Sequence, residues 1–498
     1  MGRFELSQRR YREQVRACWL GKNIGGTLGA PYECQKETHS LTFYDPVPDR
    51  AAPNDDLDLQ LVWLKLLEDR GTDPPLPLFA EYWARYAAAY PWNEYGFAHR
   101  NLTRGLVPPV SGCFENYFVD EMGSPIRSEI WACISPADPQ RAAALAWKDS
   151  AVDHAGGEGT FGEMFWAAVQ AAAFVEPDPE TLLRIGLAMI PASSQISRVT
   201  REALWCRRKG LAWAEARERI ASRFGHLQPC NAVPNQGFLV IGWLYGEGFG
   251  DSLCKAVNCG YDTDCTGATL GALLGILGGP EAIPERWRAP VGDRIVLHRF
   301  TGDCDPPKDI GELAARTEAL ACKNVRERSD AAAFAEPGCD AGRHVAPPEG
   351  RTMLFRNELA RRARGKDPQS AVALDEGGSA VEITLSYCGD PVLWPGIGRE
   401  LGVSFEKDGG AVGADARLLV PEGWRVAPLD GPGRFLVTAD DVPARNALRV
   451  EAEVAGAGVG ASFTILGPAE AVGFPAGDNV PVCPGCRARI EACVCGRP

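Results

Sequence analysis

Residues 262–279 read DTDCTGATLGALLGILGG. Asp262 and Asp264 stand one residue apart, and a glycine-rich apolar run follows at once. Gly267, Gly271 and Gly275 recur every fourth residue, so in a helix they share one face. Each glycine inside a helix costs about 1 kcal/mol relative to alanine. Three such costs on one face predict a close neighbour there. The stretch GKNIGGTLGAPYE supplies it, with Gly21, Gly25 and Gly29 at the same spacing and Glu33 at its end. Stripes of small residues let helix axes approach closely, a geometric logic best documented in membranes. The two helices are therefore expected to touch, with acids gathered at one end of the contact.

A third stretch, PNDDLDLQLVWLKLLE, places Asn54, Asp55, Asp56 and Asp58 at the start of an amphipathic helix. One such residue is explained as a helix cap. Several acids so close together repel one another, and a cation relieves that repulsion. The same holds for Asp262 and Asp264, although a D-x-D pair alone is often only a turn. Hard oxygen ligands of this kind suit Mg²⁺, Mn²⁺ or Ca²⁺ rather than zinc.

The chain has 498 residues, with 52 Lys plus Arg against 65 Asp plus Glu and a formal net charge of -13. That length exceeds one ordinary core, so two or three domains are expected. The acidic balance argues against nucleic acid and anionic membranes as partners. No uninterrupted apolar stretch is long enough to span a bilayer. The first residues contain no signal-peptide h-region. The 17 cysteines follow no framework spacing over most of the chain, which fits reduced thiols and a cytoplasmic location.

Residues 1–330 read as mostly helical, with segments such as SQRRYREQVRACWLGKN, DLQLVWLKLLEDRG and TFGEMFWAAVQAAAFV punctuated by proline and glycine. No βαβ alternation appears. Residues 331–370 read as a linker with a short helix. Residues 371–470 change to short β-rich runs broken by Gly, Asp and Pro, the pattern of an antiparallel sandwich. Residues 471–498 form a cysteine-rich tail. Its Cys483, Cys486, Cys493 and Cys495 resemble a small structural zinc knuckle, with free thiols as the other reading. Most of the aromatic run from Tyr82 to Phe97 reads as core packing, with the lining of a sugar or adenine pocket as the other reading for a few.

In order along the chain, GxxxGxxLGxPxE, an N-D-D helix start, His154 in DSAVDHAGGEG and GYDTDCTGATLGALLG resemble the ADP-ribosylglycohydrolase family. The resemblance spans about residues 12–290, and the motifs are specific in combination. It implies an all-α catalytic domain, an orthogonal helical bundle, followed here by the all-β sandwich and the tail. It also implies a centre of one or two Mg²⁺ ions, with Mn²⁺ or Ca²⁺ as substitutes, holding the ribose diol while the C1 glycosidic bond of ADP-ribose is hydrolysed. By position, Asn54, Asp55, Asp56, Asp262 and Asp264 match the family's metal ligands. Glu33 matches a glutamate beside the metals. His154 matches a pocket histidine, and a buried histidine bonded to backbone is its plain alternative. The stretch MGSPIRSE resembles a diphosphate-binding loop, which gives Gly123, Ser124 and Arg127.

Departures from the pattern bear on substrate. The family's first ligand threonine is Asn54, an aspartate is replaced by Gly26, and a threonine is replaced by Cys265. Thiol sulfur is a poor Mg²⁺ ligand, so either one metal is lost or Thr266 takes the role. Glycoside hydrolysis needs a poised water and a base, and Glu33 or Asp56 is the candidate for that base. The expected substrate is an ADP-ribosylated protein or small molecule. Another O- or N-glycoside, and a non-catalytic ADP-ribose or sugar binder, are the alternatives.

Overall fold

The computed structural model describes residues 3–90, 92–336, 338–346, 369–371, 381–407, 410–454 and 456–468. Helices dominate up to Arg328, and strands fill the region from Val381 to Leu466. Among the described residues no helix is long and apolar enough to cross a membrane. The cysteine-rich tail and the short helix expected within 331–370 lie outside the described residues. That linker reading needs one correction. Ala332–Phe334 is a strand, paired in parallel with Phe4–Leu6, because the alternating apolar side chains of both pack under one small cluster.

Compactness divides the chain into two units that are not contiguous in sequence. The first holds the described residues up to 74, then 120–150 and 157–346. Its centre is the helix Gln8–Gly29 lying against the helix Thr263–Gly278. Ser7 starts the first of these by accepting a hydrogen bond from the Arg10 amide at 3.1 Å. Gly279, at φ +71, ends the second in a conformation that favours glycine.

The glycine stripes face each other as the spacing requires. A Cβ added at Gly21 would lie 2.1 Å from the Gly271 carbonyl oxygen, and one at Gly25 would lie 1.9 Å from that of Gly267. Gly29 meets Thr263 in the same way, and Gly275 meets Ala17. Only a hydrogen side chain permits this approach, and the intimate contact offsets the weak helix propensity. The Thr263 hydroxyl donates to the Gly29 carbonyl at 2.8 Å and fixes the register at the acidic end.

The second unit holds residues 75–119, 151–156 and the described residues from 369 onward. Its strands are antiparallel. One sheet runs 369–371, 381–386, 399–407, 434–438, 425–428, with 410–412 beside 399–407. The other runs 457–466, 445–454, 417–419. Ile383, Leu401, Leu448 and Phe463 share one core with Leu106, Val110 and Phe114. Residues 75–119 therefore fold with the strands and not with the helices that precede them, so a boundary at residue 330 is not where compactness cuts the chain. Most of the aromatic run is buried, with Trp83 and Tyr95 edge to face at 5.1 Å, while Trp92 is exposed.

Candidate active site

Three chain segments deliver the acids, all within the first unit. Glu33 follows a single turn of 3₁₀ helix at the end of the first glycine helix. Asp262 sits at the N-terminus of the second, with Asp264 in its first turn. Asn54 caps the helix Asp55–Arg70, whose first turn carries Asp55, Asp56 and Asp58. Two helix N-termini thus point their positive dipole ends at carboxylates, which partly stabilises the gathered charge.

Backbone bonds hold these segments in place. The Cys34 amide donates to the Tyr261 carbonyl at 2.8 Å, and the Tyr261 amide donates to the Gln35 carbonyl at 2.6 Å. The Asp262 amide donates to Asn235 Oδ1 at 3.1 Å. Cys34 and Tyr261 both take positive φ, at 66° and 72°. Such strained non-glycine conformations persist where the surroundings over-determine them.

The carboxylates are close and under-satisfied. Ligating atoms of Asp56, Asp264 and Cys265 lie within 4.8 Å of one another. Neither Oδ of Asp56 accepts a hydrogen bond, nor does Oδ1 of Asp262 or of Asp264, and all are buried. Burial pushes the Asp56 carboxyl well above its usual range, with Lys22 opposing and Asp55 and Asp262 adding to the rise. Burial, then Glu33 and Asp262, do the same to Asp264. Glu33 rises to about 8 through burial, followed by the fields of Asp262, Cys34, Asp55 and Asp56. Acids so far apart in sequence feel one another because the glycine crossing permits it.

Beneath Asp56 lies a network that the sequence reading did not single out. Lys22 is fully buried, with Nζ 3.0 Å from Glu129 and 3.7 Å from Asp56. It donates to the Ile126 carbonyl at 3.0 Å. Burial works against its charge, but Glu129 and then Asp56 outweigh that and hold its pKa above the usual value. Gln60 donates to Glu129 at 2.8 Å, and Gln170 donates to it at 3.0 Å. A lysine inside a glycine stripe was the available signal, since a buried ammonium demands anionic partners.

The remaining predicted residues sort as follows. Asn54 Oδ1 accepts the Asp56 amide at 2.7 Å, so its carbonyl serves as the helix cap. The space in front of Gly26 is filled by Asn54, whose Nδ2 would lie 2.0 Å from an added Cβ. Asp58 accepts from the Thr301 hydroxyl at 3.0 Å and from the His298 amide, holding the segment that brings His298 into the field of Asp55. Cys265, not Thr266, has its ligating atom beside the carboxylates, while the Thr266 hydroxyl donates to the Thr263 carbonyl at 3.2 Å.

The diphosphate-loop expectation needs correcting. Arg127 is fully buried and paired with Asp149 at 2.8 Å, with Glu163 at 3.9 Å, and it also donates to the Gly123 carbonyl. A guanidinium so neutralised is an internal tie rather than a phosphate clamp. Ser124, buried too, donates to Glu163 at 2.6 Å. Those partners are remote in sequence, which is why the motif alone did not reveal them. His154 belongs to the second unit, buried, with Nδ1 2.9 Å from Asp153 and its ring edge toward Tyr95.

The ADP-ribosylglycohydrolase pattern matches residues 7–323, which takes in every acid of the site. The chain belongs to the ADP-ribosylglycohydrolase family. An uncharacterized protein of Archaeoglobus fulgidus is 26% identical over 300 residues, covering 58% of this chain and 94% of that protein. A solved structure described as an ADP-ribosylglycohydrolase-related protein complex is 20% identical, with a TM-score of 0.43 over 65% of this chain and 100% of its own. Membership of the ADP-ribosylglycohydrolases supports glycosyl-hydrolase-type activity, and the family is generally metal-dependent. The bare, buried carboxylate oxygens of Asp56, Asp262 and Asp264 fit that requirement, since hard cations seek such donors.

Proposed function

We propose that the protein hydrolyses a C1 glycosidic bond with the help of a hard divalent cation, Mg²⁺ first, and that it removes ADP-ribose from a modified protein or small molecule. The observation that carries this reading is the set of buried carboxylate oxygens without hydrogen-bond donors. Asp55, Asp56, Asp262 and Asp264 would hold the cation, with Cys265 as a soft neighbour. The bound cation supplies Lewis acidity, neutralising the acids and acidifying water.

Every other step falls to the chain's own side chains. Glu33 is exposed to solvent, although other acids crowd its carboxyl, so it can exchange protons with an incoming water. Burial and then the crowding acids raise its pKa to about 8, and a cation that neutralises those acids would draw it back down, toward the range that suits a general base at neutral pH. Asp56 is the weaker candidate for that role, because it is fully buried and faces Lys22. Lys22 and Glu129 position Asp56 from below. A different O- or N-glycoside is the second reading, favoured by Asn54 filling the volume that a side chain at position 26 would take.

The test uses metal-stripped protein, readded Mg²⁺, Mn²⁺ or Ca²⁺, and a panel of ADP-ribosylated peptides, nucleosides and nitrophenyl glycosides. Chelator-sensitive release of ADP-ribose is expected. Glu33→Gln should lower kcat roughly 10²- to 10⁴-fold while leaving substrate binding in place. Full activity of Asp264→Asn, or binding of every substrate without turnover, overturns the reading.

A further inference from the structure

Beside the hard-acid cluster lies a second set of ligating atoms of different chemistry. Cys34 and Cys230 are 196 residues apart in sequence, yet their sulfur atoms are 4.0 Å apart. Glu33 Oε1 lies 3.9 Å from Cys34 Sγ. Ligating atoms of all three residues fall within 4.8 Å of one another. Cys34 is exposed and Cys230 half-buried, so the cluster is reachable from solvent.

The two loops are fixed before any ligand arrives. Cys34 is held by the hydrogen bond its amide donates to the Tyr261 carbonyl, and the Cys230 carbonyl accepts the Met122 amide at 2.8 Å. The Ala232 amide donates to Asp120 at 2.7 Å, and Asn235 donates to the Pro229 carbonyl at 2.8 Å. Asn235 also accepts from Asp262, so the Cys230 loop is tied to the acid loop.

We propose that Cys34, Cys230 and Glu33 form a second metal site, one that takes Zn²⁺ and leaves its fourth position open. Zinc–sulfur bonds of about 2.3 Å at a tetrahedral angle place two thiolates roughly 3.8 Å apart, close to the separation found here. Three protein ligands with one free position is the arrangement of open zinc sites. The neighbouring carboxylates suit hard cations, whereas thiolates suit zinc, so ligand softness sorts the two metals between adjacent sites. Binding releases the two thiol protons to solvent. A consequence, which rests on the proposed role of Glu33, is that zinc withdraws this carboxylate from catalysis and inhibits turnover.

The test reads metal directly, so it stands apart from activity. Full-length reduced protein, saturated with Mg²⁺, is titrated with Zn²⁺ and, in parallel, with Co²⁺. Zinc per chain is counted after desalting, and cobalt is followed by its thiolate charge-transfer band. The variant Cys34→Ser/Cys230→Ser should bind one zinc fewer than wild type and lose the band intensity of two thiolates. Cys113→Ser/Cys388→Ser should match wild type, which controls for the loss of two thiols elsewhere, and the tail thiols are the same in every variant, so they cancel from the difference. Wild-type circular dichroism in all variants excludes misfolding as the cause. An unchanged zinc count in the Cys34/Cys230 variant overturns the site. So does a Cys34–Cys230 disulfide, found by peptide mapping, that persists under reduction and blocks metal uptake. The metal count decides the site even if no substrate is turned over. Zinc uptake without inhibition of an active enzyme counts against the role of Glu33 alone.

Discussion

Gly25→Ala and Gly26→Ala are neighbours on one helix, yet the structure predicts opposite outcomes. Each replacement gains about 1 kcal/mol of intrinsic helix propensity. At position 25 the new methyl group would stand 1.9 Å from the Gly267 carbonyl oxygen and 2.3 Å from its carbon. Ordinary contact needs about 3.5 Å, so the helix axes must part by roughly 1.5 Å, and both obstacles are backbone. Overpacking of this kind costs about 1–3 kcal/mol, and more where nothing can yield. The same movement loosens the register that holds Glu33 beside Asp264. At position 26 the obstacle is Asn54 Nδ2 at 2.0 Å, a side chain that can swing away. Losing its cap costs about 1 kcal/mol, which the propensity gain offsets. Urea unfolding followed by far-ultraviolet circular dichroism is therefore expected to show Gly25→Ala destabilised by about 2 kcal/mol and Gly26→Ala nearly neutral. A Gly25→Ala protein as stable as Gly26→Ala would refute the claim that the glycine crossing sets the fold.

Asp264→Asn is expected to raise the melting temperature of the metal-free protein, because it removes one of the crowded buried charges. It should also weaken the further stabilisation given by Mg²⁺, which for an intact site at about 100 times Kd is about 2.7 kcal/mol; thermal scans with and without Mg²⁺ read both effects. Lys22→Met leaves Glu129 and Asp56 without their buried cation, so a loss of about 3–5 kcal/mol is expected by denaturant titration. His344 Nε2 donates to Gln14 Oε1 at 2.7 Å while its Nδ1 accepts the Ser7 amide at 3.1 Å, and burial then Arg10 lower its pKa to about 4. Below its unfolded value of 6.5 the unfolded chain takes up a proton that the fold refuses, so stability falls as pH drops from 6.5 towards 4. After discounting for its partial exposure the loss is about 1–2 kcal/mol, and His344→Gln should flatten that slope in pH-resolved melts.

The glycine periodicity and the acids beside it were legible in the sequence, because each costs the chain something that only a close neighbour or a cation makes good. The paired stripes Gly21–Gly25–Gly29 and Gly267–Gly271–Gly275 could be matched by spacing alone. What stayed hidden depends on partners remote in sequence. Arg127 sits in a stretch that suits phosphate, and nothing local says that Asp149 and Glu163 neutralise it. Lys22 looks like a polar interruption until Glu129 and Asp56 arrive. Cys34 and Cys230 are two among 17 cysteines, and only the folded loops bring them together. The change to β-rich composition marked the sandwich, but it carried no sign that Leu106, Val110 and Phe114 complete its core.

The interleaving of the two units has a practical consequence for anyone dividing the gene. An expression fragment that stops at residue 330 keeps Leu106, Val110 and Phe114 but discards the strands that cover them. Such a fragment would offer a naked greasy surface to its neighbours and precipitate, while the sandwich made alone would lack part of its filling. Neither half is a separable cassette, and recombination that shuffles this chain as beads on a string would break both.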